Sequence, residues 1–136
     1  MPASDGVIYF SRPGVATVSW DAEHGNVLVE WEGWADETEF AALLEAGVQA
    51  LIEHGGSRWL ADCRRERVLS TASSARADAE WLPRAAAAGL KRFAVVLPES
   101  GLAATNLKAR EAKLSTLLEV GYFPTVEEAL EWLRRP

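Results

Sequence analysis

Residues 26–62, NVLVEWEGWADETEFAALLEAGVQALIEHGGSRWLAD, change periodicity twice. At the start Val27, Val29 and Trp31 alternate with polar positions, Glu30 and Glu32 lying opposite. A period of two belongs to a half-buried antiparallel strand with one wet face. Phe40, Leu43, Leu44, Val48, Leu51 and Ile52 then fall on one helical stripe, with Glu37, Glu45, Gln49 and Glu53 on the other side. Asp36 followed by Glu39 approximates a capping box, and the glycines after His54 supply a left-handed stop. Arg58-Trp59-Leu60-Ala61-Asp62 returns to a short strand.

Upstream, Ala16-Thr17-Val18-Ser19-Trp20 alternates in the same way, and the polar cluster at 21–26 predicts a hairpin turn. A shorter strand near residues 7–10 precedes it. Downstream, Ser70, Thr71, Ser73 and Ser74 are candidate helix caps. The helix after them should reach Ala88 and stop at Gly89. Pro83 either kinks it or opens a new helix, and the kink is the favoured reading.

Phe93-Ala94-Val95-Val96-Leu97 is continuously apolar, as in a strand covered on both faces. A third helix is expected over 102–119, stopped by Gly121, followed by a very short strand at Tyr122 and Phe123. Thr125 and Glu128 read as a capping box opening a final helix, with Val126, Ala129, Leu130 and Leu133 inward. The expected fold is α/β, a single domain over 1–136. It has a mixed β-sheet with an N-terminal antiparallel hairpin and parallel central strands, flanked by about four helices.

The composition fits that picture. The chain has 136 residues, 49% hydrophobic and 25% charged, the mix of a globular protein rather than a disordered or disulfide-stapled one. A net charge of −6 argues against nucleic-acid binding, which needs a basic footprint. No apolar run is long enough to insert into a membrane, and the start carries no secretory pattern. Cys63 is the single cysteine, which rules out an internal disulfide and points to the cytoplasm.

The run Val29-Glu30-Trp31-Glu32-Gly33-Trp34, with Trp59-Leu60-Ala61-Asp62 after the helix, resembles the bacterial SpoIIAA-like group of STAS/SEC14 domain proteins. Residues 81–92, the strand ending at Pro98 and the closing run Glu127-Glu128-Ala129-Leu130-Glu131-Trp132-Leu133 extend the likeness over nearly the whole chain. The resemblance implies an SpoIIAA/STAS-like fold and a regulatory role without assigned chemistry, and it is compatible with a homodimer. Anti-sigma-factor antagonists of that fold carry a phosphorylated serine at the start of a helix after a central strand. Ser70, Ser73 and Ser74 occupy that region here, although the compact Asp-Ser-Ser-Gly type signature is absent and an arginine-rich loop intervenes. The SEC14 label implies a lipid carrier with an apolar cavity.

Chemistry is sparse. His24 and His54 have no partner at ligand spacing and no evident orienting acid, no phosphate-binding glycine loop exists, and no serine sits on a nucleophile elbow. Neither an enzyme nor a cofactor is expected. Trp20, Trp31 and Trp59 should fill the core, whereas Trp34, Trp81 and Trp132 should be partly exposed. Arg58, Arg64, Arg65, Arg67, Arg84, Lys91 and Arg92 could hold an anion or an acidic partner if they converge at one end of the sheet. The candidate binding residues are Asp62, Arg64, Ser70, Ser73, Ser74, Trp81 and Arg84, and no metal ligands are expected. Two partner classes remain: a protein, met at the Asp62 end of the sheet, or a small apolar or amphiphilic ligand held between sheet and helices near Trp81.

Overall fold

The computed structural model describes residues 7–33, 35–65, 71–98 and 115–135, and for 71–77 the backbone alone. Six strands form one sheet in sequence order: β1 (Ile8–Arg12), β2 (Ala16–Asp21), β3 (Asn26–Trp31), β4 (Arg58–Asp62), β5 (Arg92–Val96) and β6 (Glu119–Phe123). The three helices among the described residues are α1 (Glu37–His54), α2 (Thr71–Ala87) and α3 (Val126–Arg134). β1, β2 and β3 pair antiparallel, and β3 to β6 run parallel. The hairpin and the parallel central strands are therefore as expected.

Each parallel crossover advances one strand in the same direction, and right-handed connections of that kind lay α1 and α2 on one face. Beneath them Val18, Val27, Val29, Trp59, Phe93 and Val95 meet Phe40, Leu44, Val48, Trp81 and Leu82 in the main core. α3 covers the opposite face of β4 and β5 through Leu60, Ala94, Val96, Ala129 and Leu133. β5 is thus covered on both sides, which explains its unbroken apolar run.

Asp36 caps α1 as the sequence predicts: its carboxylate accepts from Glu39 N at 2.7 Å, and the Glu39 carboxylate accepts from Asp36 N at 3.0 Å. Gly55 ends the helix at φ 61°, a left-handed conformation that costs a glycine little. Asp36→Ala should lower stability by about 1 kcal/mol, read from a shifted urea midpoint with an unchanged slope.

α2 runs as one helix through Pro83 rather than restarting there, the continuous course of the favoured reading. Two expectations are corrected. Where about four helices were expected, three are described. The other expected helix, over 102–119, lies mostly outside the described residues, and its last five residues are not helical: 115–118 turn and Glu119 opens β6. Gly121 accordingly lies inside a strand and caps nothing. Val120 and Tyr122 face the main core, while Phe123 joins the α3 side, a two-residue period that a glycine interrupts.

The β1 edge is tied to the end of α1 by Tyr9, whose hydroxyl donates to Glu53 at 2.8 Å and lies 3.1 Å from His54 Nε2. The His54 ring stacks on Trp20 with centroids 4.5 Å apart. Lost hydration, the bond to Glu53 and that carboxylate's charge push the Tyr9 pKa up to about 12. The folded value lies above the unfolded one. The contribution is therefore complete below about pH 10 and lost as pH rises through the folded value. In a Tyr122→Phe background, phenolate absorbance should titrate above free tyrosine, and Glu53→Gln should bring it back down.

Candidate functional site

Asp62 closes β4, and the chain turns immediately after it. This lets Arg64 fold back: its Nε donates to Oδ1 at 2.9 Å, its Nη2 to Oδ2 at 2.7 Å, and its backbone N to Oδ1 at 3.2 Å. The carboxylate is 13% exposed and the arginine 54%, so a sheltered anion holds a cation that reaches solvent. Parallel register places Glu30 of β3 beside Asp62. Lost hydration and the charge of Asp62 raise the Glu30 carboxyl above its usual range, with Arg64 pulling the other way. Because the folded value is raised, ionised Glu30 costs stability at neutral pH. Glu30→Gln should therefore unfold at a higher temperature at pH 7, and the gain should vanish on acidification below about pH 4.

Among the described side chains, Trp81 and Arg84 do not join this rim. Asp62 points to the α3 side of the sheet, whereas Trp81 packs on the opposite face. Trp81 was expected to be partly exposed, yet it is 4% exposed. Its ring meets Trp59 edge-on at 5.2 Å and Phe93 edge-on at 5.7 Å. The reason is helical phase: Asp78, Trp81, Leu82 and Ala85 form the buried stripe of α2. Arg84 lies on the outer side of α2 and grips the Glu45 carboxylate of α1 through both terminal nitrogens. Ser70 lies outside the described residues, as do Trp34 and Arg67. Ser73 and Ser74 sit in the first turn of α2, with their side chains outside the description.

The described basic residues do not converge at one end of the sheet. Arg58, Lys91 and Arg92 stand where β4 and β5 begin, Arg64 and Arg65 where β4 has ended, and Arg84 on a helix. A five-residue strand separates the first two groups by roughly 17 Å. Parallel register is what splits them, since residues at the start and the end of one strand cannot meet.

Sequence reading also missed an acid beside a histidine. His24 Nδ1 lies 2.7 Å from Asp21 Oδ2, and Nε2 lies 3.3 Å from Glu23. Asp21 also accepts from the backbone N of Glu23 and His24, so it organises the β2–β3 turn. An aspartate at the head of a polar cluster, three residues before a histidine, was the available signal. Among the described residues no group of three or more His, Cys, Asp or Glu is arranged to hold a metal.

Among the described residues, little room is left between β3–β5 and α1. Val29, Trp31, Phe40, Leu43, Trp59, Cys63 and Phe93 surround a void of about 20 Å³. Cys63 itself is buried, packed as a small apolar group. Between α1 and α2 a shallow groove of about 140 Å³ runs past Glu45, Trp81 and Arg84. The Trp81 indole N–H is buried there without a hydrogen-bond partner among the described residues. No described helix is long and apolar enough to cross a membrane.

The family model for SpoIIAA-like domains matches residues 27–134, from β3 through α3. Neither the search of curated proteins nor that of solved structures found a match. The matched domain type suggests a regulatory or interaction module in general, with no partner or ligand specified. With the match spanning most of the chain and both helical layers, the protein belongs to the SpoIIAA-like family.

Proposed function

We propose that the protein is a non-enzymatic regulatory module that captures a partner protein on the rim formed by Glu30, Asp62 and Arg64. The observation that supports this reading is how little room the described residues leave between sheet and α1. A void of about 20 Å³ holds one water, whereas ligand pockets occupy a few hundred cubic ångströms. Recognition then falls to the surface, and this rim carries a fixed pattern of charge. Asp62 anchors Arg64 in one geometry, so little side-chain freedom is lost when a carboxylate or carbonyl of a partner meets it.

Ser70, Ser73 and Ser74 follow the rim in the chain and are its covalent handle in this reading. A phosphate on any of them adds roughly −1.5 to −2 charge close in sequence to Arg64 and Arg65. A photo-crosslinker at the exposed position 65 should trap one defined protein in cells that make the chain natively. Asp62→Ala with Arg64→Ala should abolish the adduct, and replacing the three serines with aspartate should change its yield. An adduct indifferent to the rim variants would overturn the proposal.

One observation favours a second reading. The unsatisfied Trp81 N–H borders the α1–α2 groove, where an amphiphilic ligand could offer it an acceptor oxygen. A small molecule bound in stoichiometric amount would replace the first reading with this one.

A further inference from the structure

The parallel strands β4, β5 and β6 begin at one edge of the sheet, in a shared row of Arg58, Arg92 and Glu119. The backbone fixes that row. Ser57 O accepts from Lys91 N at 2.8 Å and from Arg92 N at 3.2 Å, and Lys91 O accepts from Glu119 N at 2.8 Å. The end of α3 reaches the same edge. Arg92 donates to the carbonyls of Trp132 and Arg135, and its guanidinium lies over the Trp132 ring, 5.6 Å from the centroid. Arg135 is thereby brought beside residues far away in the chain.

Ser57, Arg58, Lys91, Arg92, Glu119 and Arg135 line a groove of about 190 Å³. Four cations therefore face one carboxylate, in a chain whose net charge is −6. Arg92 is engaged by the α3 carbonyls and lies 3.8 Å from Glu119. Arg135 lies 3.9 Å from the exposed Glu131. Among the described residues, Arg58 and Lys91 make no side-chain hydrogen bond or ion pair. Two of the four cations, Arg58 and Lys91, are thus uncommitted among the described residues.

We infer that this groove binds the phosphate group of a small phosphomonoester. A carboxylate brings one charge and two coplanar oxygens. A phosphate brings about two charges, and its tetrahedral oxygens can accept from Arg58, Lys91 and Arg135 together, guanidinium forks being well matched to it. The groove is large enough for a phosphate with a short substituent and too small for a polymer. It shares no residue with the Asp62–Arg64 rim, so the two proposals stand or fall separately.

Calorimetric titration of the full chain with inorganic phosphate and with glycerol 3-phosphate tests it, with phosphatidate vesicles as a third arm. Saturable binding of glycerol 3-phosphate is expected, tighter than that of inorganic phosphate; tighter binding of the free anion would overturn the assignment to an ester. Arg58→Gln with Lys91→Gln should weaken binding at least tenfold, about 1.4 kcal/mol, while Arg64→Gln leaves it unchanged. In the unmodified protein, amide resonances at 57, 58, 91 and 92 should shift on titration, which needs no variant to fold. Binding to vesicles alone would mark a charged surface and overturn the inference. So would the absence of saturable binding, or binding indifferent to the double variant.

Discussion

Trp59→Ala should remove about 3–5 kcal/mol of stability, seen as a large fall in urea midpoint. The residue is 1% exposed, among the largest fully buried side chains. It joins every part of the main core: from β4 its ring stacks on Phe93 at 5.9 Å, meets Trp81 of α2 edge-on and lies under Gly47 of α1. Truncation forfeits the burial of an indole and leaves a cavity that sheet and helices cannot close without moving together. A domain of ordinary stability has about 5–15 kcal/mol in hand, so a substantial unfolded population is expected near physiological temperature. Trp59→Phe should recover much of the loss.

Gly47→Ala should destabilise where helix propensity alone predicts a gain. In an exposed helix interior this substitution adds roughly 1 kcal/mol. Here a β-carbon would stand 2.0 Å from the Trp59 ring, with two more ring atoms at 2.4 and 2.7 Å. The ring cannot swing away, because Trp81 and Phe93 hold it from other sides. The expected net loss is about 1–3 kcal/mol. A double-mutant cycle with Trp59→Leu isolates the contact: the alanine should cost far less once the ring is gone. Equal costs in the two backgrounds would show that the close approach is not the cause.

These two effects show why some of the fold is legible in sequence and some is not. The β2–β3 hairpin and α1 could be read because each presents a single strong period over most of its length, and β5 because its run is continuously apolar. β6 was read only at Tyr122 and Phe123, because Gly121 reads as a helix stop, and the residues that make it a longer strand are spread across two cores. Trp81 was misjudged as partly exposed, although its spacing to Asp78, Leu82 and Ala85 already described a buried stripe. The Gly47–Trp59 contact joins a helix to a strand, and no periodicity within either element announces it.

The site was less legible still, because its groups meet through register. Glu30 stands next to Asp62 only because β3 and β4 pair in parallel at that offset. The arginines adjacent in sequence are parted by the length of a strand, while Arg135 joins Arg58 and Lys91 from the far end of the chain. Cations near one another in sequence invited the idea of a single patch. The sheet makes two ends of different character: a salt-bridged rim with acidic neighbours, and a groove with unspent positive charge.

The reading of the protein as a surface-recognition module depends on its interior being occupied by its own side chains. Comparing the native and denatured masses of the purified chain tests this most directly. The account predicts the same mass in both states, that of the 14.8 kDa chain or a whole multiple of it in the native spectrum. A surplus present in the native spectrum and released on unfolding, with the mass of an apolar or amphiphilic molecule, would contradict it.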